Sequence, residues 1–132
     1  MAAGDPQQQA RAITRDLKNL IERVVIKVSL DCVANLIEVT PVDTGWARAN
    51  WLPSVGQPID APAGARDSVG TATSDQRNGT AAVTKYDLTK GNVFISNNVP
   101  YILRLNDGSS TQAAAGFVQG AIAKAVNQDF RA

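Results

Sequence analysis

Apolar residues recur at Ile13, Leu17, Ile21, Val24, Val28, Cys32, Leu36 and Val39, three and four positions apart, which is the period of one helix face. Asp5 ahead of Pro6 supplies the start signal: an acceptor for free backbone N–H groups, then a residue preorganised for a first turn. Thr40-Pro41 supplies the stop, because the residue before a proline is pushed out of the α region. Lys18 with Glu22 and Lys27 with Asp31 are spaced as i,i+4 pairs on the wetter side. Val24-Val25-Ile26-Lys27-Val28 is β-branched enough for a strand, but the flanking helical period outweighs that propensity. A helix of about 31 residues would be about 46 Å long at ~1.5 Å per residue. A compact chain of this size is only about 36 Å across. Leu20, Val25, Ile26, Leu30, Val33 and Ile37 widen the apolar face beyond an ordinary stripe. Two readings follow: a central helix wrapped by the rest of the chain, or a helix covered partly by another subunit.

Residues 40–45 read as a turn, and the alternation in residues 46–52 predicts a strand. It would place Trp46, Arg48, Asn50 and Leu52 on one face and Ala47, Ala49 and Trp51 on the other, with Pro53 as its end. Residues 57–79, rich in Pro, Gly, Ala, Ser, Thr and Asp, carry no apolar period and read as a long loop. Residues 80–88 read as a short helix and residues 91–97 as a strand. Residues 100–106 form a helical turn with Tyr101 above Leu105, and Gly108 is its stop. After a second loop at residues 109–115, residues 116–130 make an amphipathic helix with Val118, Ile122, Val126 and Phe130 on one stripe. No repeat or linker divides the chain. The expectation is a single α+β domain over residues 1–132: a long N-terminal helix packed on a small, mostly antiparallel sheet, with a C-terminal helix and long loops.

Composition narrows the chemistry. The 132 residues are 44% hydrophobic, enough for one core without staples. Thirteen basic against 12 acidic side chains leave a net charge of +1, where a dedicated nucleic-acid binder carries a basic excess. Without histidine there is no Ser-His-Asp or Cys-His catalysis and no His-ligated zinc. The single cysteine, Cys32, forms no internal disulfide, which fits a reducing compartment, and its place on the helix stripe makes it a small core residue. No apolar run approaches the roughly 20 residues of a membrane span. The N-terminal segment has no apolar core behind a basic start, so no leader is expected.

Asp43-Thr44-Gly45 is the triplet that retroviral-type aspartic proteases contribute from each of two subunits, so that two carboxylates share a proton. A small homodimeric protease using Asp43 is therefore the alternative function. That family sets the triplet after an apolar strand, whereas Asp43 follows a helix end and a proline; the plainer reading is a turn capped by the Asp43 side chain. Asp60, Asp67, Asp75 and Asp87 are scattered singles without calcium-loop spacing, so no metal or other cofactor is expected. Arg77, Lys85, Lys90 and Arg104 read as a solvated face, or as a local surface toward DNA phosphates.

Two strings in order carry a resemblance. Thr40-Pro41-Val42-Asp43-Thr44-Gly45, followed by Arg48 and Trp51, resembles the helix-exit motif of the head–tail joining proteins of tailed phages, also described as neck, tail-completion or minor tail components of lambda-like phages. Ile95-Ser96-Asn97-Asn98-Val99-Pro100-Tyr101, then Leu105, Gly108, Gln112-Ala113 and Gly116-Phe117-Val118, is similar to that family's second signature. The likeness spans roughly residues 8 to 130, without the loop at residues 57–79. Asn106-Asp107-Gly108-Ser109-Ser110 departs from the acidic and aromatic residues usual before that glycine and the histidine after it, and Ala114 stands where a proline is usual.

The resemblance implies a structural virion protein that forms a ring, with a hexamer favoured, between the DNA-filled head and the tail. It would be made in the host cytoplasm and would have no turnover, no cofactor and no membrane partner. Its partners would be further copies of itself, a connector or stopper on one side and a tail terminator on the other. DNA would pass through the channel without sequence-specific contact. Thr40, Pro41, Asp43, Thr44, Gly45, Trp51, Asn97, Asn98, Pro100, Tyr101 and Gly108 would be architectural. Partner contacts are expected in the loops, at Gln57, Asp67, Ser68, Asp75, Ser109, Ser110 and Gln112.

Overall fold

The computed structural model describes residues 4–41, 45–64, 74–108 and 113–130. The first helix, α1 (Pro6–Val39), opens with a capping box: Asp5 Oδ1 accepts from the Gln8 N–H at 2.7 Å, and the Gln8 side chain accepts from the Asp5 N–H. Its 34 residues make it about 51 Å long. A single turn, α2 (Trp46–Ala49), leads into β1 (Leu52–Val55), and α3 (Ser74–Thr84) and a 3₁₀ turn (Leu88–Lys90) follow. The chain then forms β2 (Val93–Ser96), α4 (Ile102–Asn106) and α5 (Phe117–Asp129). β1 and β2 pair antiparallel, with Leu52 opposite Ser96 and Val55 opposite Val93. The architecture is α+β, as the sequence indicates.

The core lies at the C-terminal end of α1. Leu36, Trp51, Phe117 and Ala121 form one buried cluster, and Trp46, Ala47 and Val99 a second, bridged by Ile102 and Leu105. All four buried residues of α1 (Cys32, Val33, Asn35 and Leu36) fall in its last two turns and a half. Ile13, Leu17, Leu20 and Ile21, on the same apolar face nearer the start, are between 41% and 68% exposed. Among the described residues α1 is therefore an overhanging helix and not one wrapped by the rest of the chain. Glu22, spaced to pair with Lys18, instead accepts from the Leu88 N–H at 2.9 Å and ties the 3₁₀ turn to α1.

Three sequence-based boundaries are corrected. Of residues 46–52 only Leu52 is in a strand, as the first residue of β1. Gly45 at φ +68° starts a helical turn, closed by Ala49 N–H to Gly45 C=O at 3.0 Å, which buries Trp46, Ala47 and Ala49 together. Pro53 lies inside β1 and does not end it; in a two-stranded sheet each strand is an edge, where a residue without an N–H is tolerated. The expected loop at residues 57–79 overlaps α3, which begins at Ser74 and ends at Thr84, short of the expected 88. α3 has no apolar period because only Gln76 and Val83 are buried on it. Its seat on β1 is made by Gly79 against Pro53 and by the Gln76 amide, which donates to the Trp51 carbonyl at 3.1 Å.

The face of α5 is also corrected. Phe117, Ala121 and Ala125 are buried, while Ile122, Val126 and Phe130 of the expected stripe are between 40% and 61% exposed. Alanines let α5 approach α1 closely, so that Asn35 Nδ2 donates to the Ala121 carbonyl at 3.3 Å. Antiparallel packing ends where Lys27 Nζ lies 2.8 Å from Asp31 and 3.2 Å from the buried carboxylate of Asp129.

Candidate functional site

The two distant strings singled out in the sequence meet in one hydrogen-bonded joint at the end of α1. Thr40, in extended conformation, ends the helix, its N–H donating to the Leu36 carbonyl at 3.1 Å. Its buried hydroxyl donates to the same carbonyl and accepts from the Trp51 indole N–H at 2.7 Å. Arg48 reaches back over the same end: Nε donates to the Ile37 carbonyl at 2.7 Å and a terminal nitrogen to the Glu38 carbonyl at 3.4 Å. A guanidinium on the last carbonyls satisfies acceptors that the helix itself leaves free and meets the negative end of its dipole. The Arg48 and Trp51 spacing after Thr40 thus has a physical reason: both side chains close the helix exit. Pro41 is buried beside them, and Gly45 supplies the left-handed backbone that turns the chain into α2.

The second string docks on the first. Asn97 Nδ2 donates to the Ala47 carbonyl at 2.9 Å while its Oδ1 accepts from the Val99 N–H at 3.2 Å, an Asx-type turn at the exit of β2. Asn98 Nδ2 donates to the Ile59 carbonyl at 2.7 Å. The Tyr101 ring lies 6.1 Å from that of Trp46, tilted by 54°, within the range of attractive aromatic pairs. Pro100 is exposed at the turn into α4. Gly108, at φ +97°, follows the end of α4, and a Cβ there would come within 3.1 Å of Ala115 Cβ.

Two residues outside the expected set complete the joint. Asn50 is fully buried, and its amide donates to the Trp46 and Ala63 carbonyls at 2.9 and 2.8 Å while accepting from the Ala63 N–H at 2.7 Å. Trp46 Nε1 donates to the same Ala63 carbonyl at 3.1 Å, so Ala63 is held to α2, while Ile59 is held by Asn98 at the exit of β2. Asn106 caps α5 from outside the helix, its Oδ1 accepting from the Val118 N–H at 2.9 Å. Asn106 is signalled by its place at the end of a predicted helical turn, whereas Asn50 falls inside the expected strand and carries no such signal.

Of the expected contact residues, Gln57 is exposed after β1, and Asp75 is exposed in the first turn of α3, not in a loop. Asp43, Thr44, Asp67, Ser68, Ser109, Ser110 and Gln112 lie outside the described residues. Asp43-Thr44 falls between the end of α1 and the start of α2, with helix on both sides. Cys32 is buried, and burial pushes its thiol pKa up, with Asp129 and Asp31 adding to the shift; a thiol so placed is a poor nucleophile. Among the described residues no three His, Cys, Asp or Glu side chains gather as metal ligands, and no helix is long and apolar enough to cross a membrane. The joint is filled with packed side chains and paired polar groups, an arrangement that fixes the angle between α1 and the sheet. Comparison with protein-family models, curated proteins and solved structures finds no match to the chain.

Proposed function

We propose that the chain is a structural protein of a tailed-phage neck, forming a homo-oligomeric ring that joins the DNA-filled head to the tail around the DNA path. The observation that carries this reading is the first half of α1, which extends past the core with four large apolar side chains uncovered. An exposed apolar stripe of that kind marks a protein–protein surface. The packed joint supports the reading as well: Arg48, Trp51 and Asn97, residues that carry the resemblance, brace the end of α1 and the turn that follows it. Connector or stopper and tail terminator are the proposed neighbours above and below. Gln57 and the segments holding Asp67, Ser68, Ser109, Ser110 and Gln112 are the proposed contacts to them. With a net charge of +1, the ring would let DNA pass without gripping it.

Electron microscopy of lysates from the encoding phage with this gene inactivated tests the reading. DNA-filled heads and completed tails, unattached, are expected. Normal joined virions would overturn it.

A further inference from the structure

Nine large apolar side chains are more than a third exposed among the described residues, and seven of them fall on just two surfaces. Ile13, Leu17, Leu20 and Ile21 form a ridge on the α1 overhang. Ile122, Val126 and Phe130 form a stripe on the outer face of α5. Beside Phe130 the stripe opens into a groove of about 480 Å³ lined by Val24, Val25, Val28, Tyr86 and Phe94.

Neither surface can cover the other within one chain. α5 ends level with Lys27, as the 3.2 Å contact between Lys27 Nζ and Asp129 requires, and residues 6–21 of α1, a stretch of about 24 Å, lie beyond that level. The two surfaces nevertheless match. Each runs over about eight residue steps, ~12 Å along its helix; the ridge repeats at three- and four-residue spacings and the stripe at four-residue spacings, the rows by which two helices interdigitate.

We propose that the α1 ridge of one copy packs on the α5 stripe and the adjoining groove of the next copy, a head-to-tail contact between different surfaces. The proposal rests on the ring reading above and names the interface that builds it. Ridge and stripe each expose on the order of 300 Å² of apolar side chain, the size at which a bare patch on a monomer is often functional. With the groove walls added, each contact covers about 350 Å² of apolar surface per partner, against the roughly 450 Å² of apolar surface in an interface of about 800 Å² per partner. A contact between unlike surfaces closes into a ring when its rotation allows. Pairing of two α1 ridges face to face would stop at a dimer and leave the α5 stripe and groove bare.

Mixing two defective chains tests the geometry. Leu17→Glu spoils the ridge and Val126→Glu the stripe; both positions are exposed, and circular dichroism and Tm check that each variant folds. Ile13→Glu with Ile122→Glu is a second pair. In native mass spectrometry the wild type is expected as a ring-sized multiple of 13.9 kDa and each variant alone as a monomer. An equimolar mixture is expected at twice the monomer mass, because one intact ridge still meets one intact stripe. A mixture that stays monomeric, a variant that retains the wild-type mass, or a wild type monomeric at every concentration would overturn the proposal. Unattached heads and tails in the gene-inactivation lysate would leave the neck reading standing in each of those cases.

Discussion

The indole N–H of Trp51 donates to the hydroxyl of Thr40 at 2.7 Å, across the turn between α1 and the sheet. Both residues are buried, and the hydroxyl donates its own proton to the Leu36 carbonyl, so one side chain ends the helix and anchors the segment that leaves it. Thr40→Val keeps the shape and removes the acceptor, leaving a buried N–H without a partner. A loss of about 1–3 kcal/mol in urea unfolding is expected. Trp51→Phe in the Thr40→Val background should cost less than it does in the wild type, and a strictly additive double-mutant cycle would contradict the coupling.

Gly79 marks the closest approach of α3 to β1. A Cβ at this position would overlap the Pro53 carbonyl oxygen and come within 3.0 Å of its carbon. Backbone cannot yield there as a flexible side chain can, so Gly79→Ala should destabilise the fold by about 2 kcal/mol or more. Gly120, on the exposed side of α5, has no such neighbour. Gly120→Ala should raise stability by about 0.5–1 kcal/mol through helix propensity. Equal effects of the two substitutions, measured by chemical unfolding, would contradict this seat for α3.

Lys27 stands between Asp31 and Asp129, and its pairing with Asp31 is the main cause that raises its own pKa and lowers that of Asp31. Because the folded Asp31 pKa is depressed, the pair's stabilisation is present above the ordinary carboxylate range near ~4 and is lost as pH falls through the folded value. Because the folded Lys27 pKa is raised, its share is full below the ordinary ammonium range near ~10.4 and is lost as pH rises through the folded value. Lys27→Met also leaves two carboxylates facing each other. The Tm difference from wild type should be largest between about pH 5 and 9 and should shrink below about pH 4. A difference constant with pH would contradict the pairing.

The legibility of this chain follows the physics of each element. α1 is readable because its cap, its period and its Thr-Pro exit all agree, and the structure adds only three residues to its length. α5 is readable as a helix but not as to its face, because side-chain size selects Ile122 and Val126 whereas close helix approach selects Ala121 and Ala125. Trp46 to Asn50 alternates like a strand, yet the left-handed Gly45 and the buried amide of Asn50 close it into a turn. α3 has Val83 as its one large apolar residue and is otherwise held by Gln76 and by the absence of a side chain at Gly79, signals that no hydrophobic period carries. The joint is legible as two strings of residues; that they touch, through Asn97 on Ala47 and Tyr101 beside Trp46, depends on packing between positions some fifty residues apart.

The native mass of the purified chain at high protein concentration tells whether its exposed helix builds a ring. A hexamer, or another ring-sized multiple of 13.9 kDa, is the predicted result. A chain that remains monomeric, or that stops at a dimer, would contradict a ring built by its own exposed helix.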